Sequence, residues 1–254
     1  MASAADDAAS ATDGAGAEKP LYGRLMRAIH TRHSIANAIR FFKLPLIFTD
    51  VRLWAGAIAQ FWWLTRTLEE RLRALSDDPL VAHVAAAGRK DLARGYEADL
   101  AQILGPDWRE EAEAALTAAT RRYAAELEAA DARRAVAAAF ILYGALVVGG
   151  GRATQQKAKR VFPSCDHELF DVADDMRLAR RRFKNCFTAI GKDHAGAKAV
   201  APEAADDVVA AAAHFMGRNN EVVLSVRVVP YWWWKAAIVA AVGVVASRRL
   251  RGAR

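Results

Sequence analysis

The chain of 254 residues has two cysteines, Cys165 and Cys186. That pair makes neither a disulfide framework nor a metal cluster, and a reducing compartment is the plain expectation. Strand-like alternation of apolar and polar residues is scarce while alanine is abundant, which favours an all-α fold. No period of solenoid length recurs, so a compact single domain of helices joined by short loops is expected. Zinc-finger spacing, helix-turn-helix signals and aromatic-basic interleaving are all missing. The formal charge of +7 collects in short clusters at 157–160, 177–184 and 248–254, so nucleic acid is not an expected partner. The first residues, MASAADDAASATDGAGAEK, lack an apolar h-region; 1–19 therefore reads as a disordered leader, not a secretory signal.

The other end is unlike the rest. From Val222 it runs VVLSVRVVPYWWWKAAIVAAVGVVASRRLRGAR. Tryptophan and tyrosine favour a membrane interface and Lys235 can snorkel, so residues 228–247 read as a short C-terminal membrane anchor followed by a basic tail, 248–254. A buried or interface-lying helix is the other reading of the same residues. An anchor so close to the end implies a tail-anchored protein facing the cytosol, with endoplasmic reticulum and mitochondrial outer membrane both open.

The body, 20–225, reads as a helical domain. Helices are expected from Leu21 to about Phe42, where Pro45 closes the run, and from Val51 to Leu75, ending at Asp77, Asp78 and Pro79. Others are expected over 89–104, 108–130, 172–190 and 204–220. Arg133 to Arg160 reads as one long segment interrupted by glycines. Gly144, Gly149, Gly150 and Gly151 sit inside its apolar stretch, where each weakens a helix by up to about 1 kcal/mol relative to alanine. Glycine lets backbone approach closely and lets a helix kink, which suits a large flat ligand lying across it. Close packing of another helix would account for the same residues. Near the start, His33 follows His30 in a basic amphipathic helix. Histidines without nearby Cys, Asp or Glu at ligand spacing argue weakly for zinc. Haem iron needs one protein imidazole, with the opposite face left open.

Several segments together resemble haem oxygenase, and the resemblance covers nearly the whole body. AIHTRHSIAN is similar to the family's first helix and places His33 at the proximal iron ligand. TLEERL and GRKDLARGYEADLAQILGPDWRE resemble the two segments that follow. AFILYGALVVGGG falls without gaps on the family's distal helix, AYTRYLGDLSGGQ. This puts Phe140 at a haem-contacting tyrosine, Tyr143 at a tyrosine, and Gly149 and Gly150 at the paired glycines. Three positions depart: Leu146 replaces the aspartate that organises the distal water, Ala145 replaces a glycine that packs on haem, and Leu142 replaces an arginine. FDVADDMRLARRRFKN puts Arg180 and Lys184, one turn apart, on the two basic positions that meet the propionates. A solvated basic face is the plain reading of the same arginines. HFMGRNNEVV makes Asn219 a counterpart of the family's asparagine.

The resemblance implies an all-α, single-domain, haem-oxygenase-like fold with a C-terminal hydrophobic helix. It implies haem as both cofactor and substrate, cleaved to biliverdin, carbon monoxide and ferrous iron with O2 and electrons from an NADPH-dependent reductase. His33 then holds the iron, Gly149 and Gly150 shape the oxygen side, and Phe140, Tyr143, Ala145, Leu146, Arg180, Lys184 and Asn219 complete the site. Leucine cannot hydrogen-bond or anchor water. A haem-binding or scaffold protein with little turnover is therefore the alternative, and a purely structural helical protein a third class.

Overall fold

The computed structural model describes residues 20–87, 91–191 and 201–229. Both the leader, 1–19, and the anchor expected at 228–247 lie outside them, apart from Val228 and Val229. Ten α-helices follow in order: α1 (Leu21–Ile47), α2 (Val51–Ala74), α3 (Pro79–Ala87), α4 (Leu92–Leu104), α5 (Trp108–Ala114), α6 (Ala118–Glu128), α7 (Ala132–Val147), α8 (Gly151–Val161), α9 (Met176–Ala189) and α10 (Ala205–Ser225). Two 3₁₀ turns, Glu168–Phe170 and Pro202–Ala204, precede α9 and α10. No β-strand occurs among the described residues. No single described helix is long and apolar enough to cross a membrane.

Side-chain caps set several of the starts. Asp50, Thr117, Asp131 and Asp175 each accept a backbone N–H from the first turn of α2, α6, α7 and α9. Asp78 does the same for α3, accepting from Leu80 at 2.8 Å, with Pro79 at the first helical position, which needs no donor. The Asp-Asp-Pro stop read from sequence is thus also a start. Pro45 lies inside the last turn of α1. The carbonyl it leaves without a donor, on Phe41, is on a residue 75% exposed, so water can serve it and the helix runs on to Ile47.

The core has two parts. In one, the alanines of α7 from Ala135 to Ala139, except for Val136 all side chains of one carbon, are fully buried and let α10 and α2 pack close, with Tyr123 stacked on Phe215 at 5.3 Å. In the other, Trp54, Trp62, Tyr96 and Leu146 gather around α2 and α4. Tyr143, Phe61 and Trp63 touch both.

Helix α1 lies along α10, and polar contacts fix its position. Asn220 Nδ2 donates to the Arg32 carbonyl at 2.9 Å. Lys43 Nζ donates to the carbonyls of Val223, Leu224 and Val226 at 3.0, 2.5 and 2.6 Å, closing the C-terminal end of α10 with a cation. Lys43→Met should cost about 1–3 kcal/mol in urea unfolding, because three carbonyls lose their donor. A loss below a few tenths would show that water replaces it.

Candidate functional site

Helix α1 meets the α7–α8 strand of chain at two places. Near its start, the Tyr22 ring stands edge-on to Phe140 at 5.9 Å. Toward its end, Arg40 lies so close to Gly150 that a Cβ there would sit 2.8 Å from a guanidinium nitrogen. Between these contacts His33 and Asn37 on α1, and Ala145 and Gly149 at the end of α7, are exposed. They border a slot.

On the α1 side, His33 Nδ1 is 3.3 Å from the Asn37 amide one turn later. The amide orientation that suits a metal ligand turns Oδ1 toward Nδ1–H, which leaves the Nε2 lone pair for a ligand. Partial burial, with Arg40 and then His30 nearby, holds the imidazole below its ordinary pKa. His33 is therefore neutral at neutral pH, as ligation requires. Arg40 was not singled out from sequence, although its spacing of two turns from His33 puts both on one face.

Across the slot the helix bends. The Gly149 N–H donates to Gly144 O at 2.9 Å, five residues back, and α7 and α8 meet at 51°. A Cβ at Gly149 would lie 2.7 Å from the Ala145 carbonyl oxygen, closer than side chains tolerate. The long segment expected over 133–160 is thus two helices with a kink at the glycines.

Helix α9 closes one end of the slot. Phe183 stacks on Phe140 at 5.9 Å, Arg180 Nε donates to the Val147 carbonyl at 3.0 Å, and Lys184 Nζ stands 5.8 Å over the Tyr22 ring. The two exposed cations lie one turn apart, one beside the end of α7 and one beside the start of α1.

A family model described as "Heme oxygenase" matches residues 19–224. The chain belongs to the haem oxygenase family. The structure is similar to heme oxygenase 2 from Chlamydomonas reinhardtii, solved without heme, with a TM-score of 0.73, 22% identity, and coverage of 84% of this chain and 100% of that one. It is also similar to heme oxygenase-1 from the cyanobacterium Synechocystis sp. PCC 6803 in complex with heme, with a TM-score of 0.67, 17% identity, and coverage of 91% and 99%. No curated protein sequence matches the chain.

Within this haem oxygenase fold the remaining expected residues fall unevenly. Phe140 is buried in the aromatic group with Tyr22, Phe183 and Phe187. Leu146 is buried in the core with Trp54 and Tyr96, and its side chain belongs to that packing more than to the slot wall. Tyr143 is half-buried, and burial raises its phenol well above the ordinary value. Asn219 is half-buried on α10, whereas its neighbour Asn220 is the asparagine bonded to α1.

Tyr143 and Glu69 also line a cavity of about 520 Å³ between α2, α3, α7 and α9, with Phe183, Cys186 and Phe187. Burial pushes the Glu69 carboxyl up to about 7, although the N–H groups of Leu92 and Ala93, at 2.6 and 3.2 Å, favour its ionised form. A carboxyl raised in the folded state stabilises it fully below the ordinary value of 4.5, and that contribution is lost as pH rises through 7. Glu69→Gln keeps an acceptor and does not titrate. It should exceed the wild type by about 1–3 kcal/mol in urea at pH 8 and converge with it at acid pH. A constant difference between the two across that range would contradict the assignment.

Proposed function

We propose that the chain binds haem in the slot between α1 and the kinked end of α7. It cleaves the ring oxidatively to biliverdin, carbon monoxide and ferrous iron, using O2 and electrons from an NADPH-dependent reductase. The observation that carries this reading is the pairing of a ligand-competent imidazole, His33, with a bend at Gly149 where no Cβ fits. The donor set fits haem: one neutral imidazole on α1, bare backbone on the opposite wall, and two cations at one edge.

Haem, when bound, supplies the iron at which oxygen is activated and the ring that is cut. The chain does the rest. His33 Nε2 holds the iron, with Asn37 orienting the imidazole. Arg180 and Lys184 pair with the propionates and set the ring's rotation in the slot. The backbone at Gly149 and Gly150 narrows the oxygen side to the ring edge. Proton supply falls to backbone-held water: the Ala145 and Leu146 carbonyl oxygens lie within 2.7 and 3.0 Å of where Cβ atoms would stand at Gly149 and Gly151.

One observation favours a second reading, haem binding with little turnover. Leu146 stands where the family has its aspartate, and it is packed among apolar side chains. A haemin titration of the purified chain, followed by reductase and NADPH in air, separates the two. A Soret band that decays into bilin absorption supports the oxygenase, and one that persists supports the binder. Residues 228–247 would tether the domain to the endoplasmic reticulum or mitochondrial outer membrane, facing the cytosol. Deleting 228–254 should then release the protein from sedimenting membranes.

A further inference from the structure

The two cysteines promised no metal cluster on sequence grounds, yet the fold changes the surroundings of one of them. Asp99 on α4 meets Cys165 and His167 from the loop that follows α8, and their ligand atoms lie within 4.8 Å of one another. All three residues are buried, Asp99 and His167 completely. We propose that Asp99, Cys165 and His167 form a second metal site, separate from the haem slot, for a divalent cation of the zinc class.

The imidazole points to it most directly. His167 Nε2 is committed to the Phe162 carbonyl at 3.0 Å, and as the donor it carries the proton. The lone pair is then on Nδ1, which is buried and has no hydrogen-bond partner. A buried unpaired acceptor costs roughly 1–3 kcal/mol, so it calls for a ligand. His167 also has φ of +58°, a conformation that favours glycine, so an imidazole is kept here against backbone preference.

The carboxylate is already oriented. Asp99 Oδ1 accepts from the Glu168 N–H at 2.7 Å and Oδ2 from the Leu169 N–H at 3.2 Å, and each oxygen keeps a second lone pair. Such outer bonds are how proteins aim metal ligands. Thiolate, carboxylate and neutral imidazole together carry two negative charges, which a divalent cation neutralises inside an apolar shell that includes Trp54 and Leu169. Binding displaces the thiol proton to solvent, and water takes the fourth position. Without a cation, burial keeps the Cys165 thiol protonated, its pKa pushed up to about 11.

The site would brace the loop beneath α8. Gln155 on α8 donates to the His167 carbonyl at 3.4 Å and to Asp171 at 2.8 Å, so the loop and the helix leaving the glycine kink are already tied.

The test is a Co²⁺ titration of the untagged, haem-free full chain, followed by displacement with Zn²⁺. One equivalent of Co²⁺ should give a thiolate-to-cobalt charge-transfer band in the near ultraviolet. Cys165→Ser and His167→Gly should lose the band and weaken Zn²⁺ binding on the order of 100-fold or more. Cys186→Ser and His33→Ala should keep both. His167→Gly is the decisive variant because glycine suits the backbone there, so loss of metal cannot be ascribed to misfolding. Zn²⁺ should raise the melting midpoint of the wild type and leave that of His167→Gly unchanged. Absence of a thiolate band in the wild type, or its retention in His167→Gly, overturns the proposal.

Discussion

His33→Ala should abolish the six-coordinate ferric haem spectrum and reduce bilin formation beyond the roughly 10–100-fold that loss of an outer-shell partner costs. The expected cause is local. His33 is exposed on α1, whose packing depends on Leu25, Ile29 and the contacts of Arg32 and Lys43 with α10. The haem-free variant should therefore unfold within about 0.5 kcal/mol of the wild type. Free imidazole should restore the spectrum by entering the space the side chain leaves. A wild-type spectrum in His33→Ala would remove the ligand assignment, and His30, one turn earlier, would be the next residue to substitute.

The paired glycines should respond unequally to the smallest change, addition of one methyl group. At Gly149 that carbon meets the Ala145 carbonyl of its own chain at 2.7 Å, and backbone cannot yield without altering the bend. Gly149→Ala should cost about 1–3 kcal/mol in stability and weaken haem binding by on the order of tenfold or more as the slot changes shape. At Gly150 the obstacle is the far end of the Arg40 side chain, at 2.8 Å, which can swing away. Gly150→Ala should fall within about 0.5 kcal/mol of the wild type. Equal effects at the two positions, in denaturant unfolding and haemin titration, would mean the kink does not shape the slot.

What could be read from the sequence was mostly local. The glycine interruption of an apolar helical run marked the bend because nothing except a backbone requirement explains glycine there. The helix ends were less legible where one signal had two meanings. Asp78-Pro79 reads as a stop, yet Asp78 caps a new helix with Pro79 at its first position. The single helix expected over 108–130 breaks at Thr117, whose hydroxyl accepts from Thr120 at 3.2 Å and starts α6.

The site was legible only along single helices. The i, i+4 pair Arg180 and Lys184 needed no tertiary information. Which way a position faces did: Leu146 aligns with a distal residue but packs into the core with Trp54, since the bend turns the exposed face to Ala145 and Gly149. Arg40 meets Gly150 across two helices, and Asp99 reaches Cys165 and His167 across the packing of α4 on the Glu168–Phe170 turn. Neither juxtaposition has a sequence spacing to betray it.

The most direct test of the central claim is a product balance. The full chain, loaded with haem and supplied with reductase, NADPH and air in the presence of catalase, is assayed for biliverdin, carbon monoxide and ferrous iron together. The account predicts equimolar release of all three, lost in His33→Ala. Haem that stays intact, or that bleaches without carbon monoxide and bilin, would contradict it and leave a haem-binding protein whose Leu146 core has no route for the protons the cleavage needs.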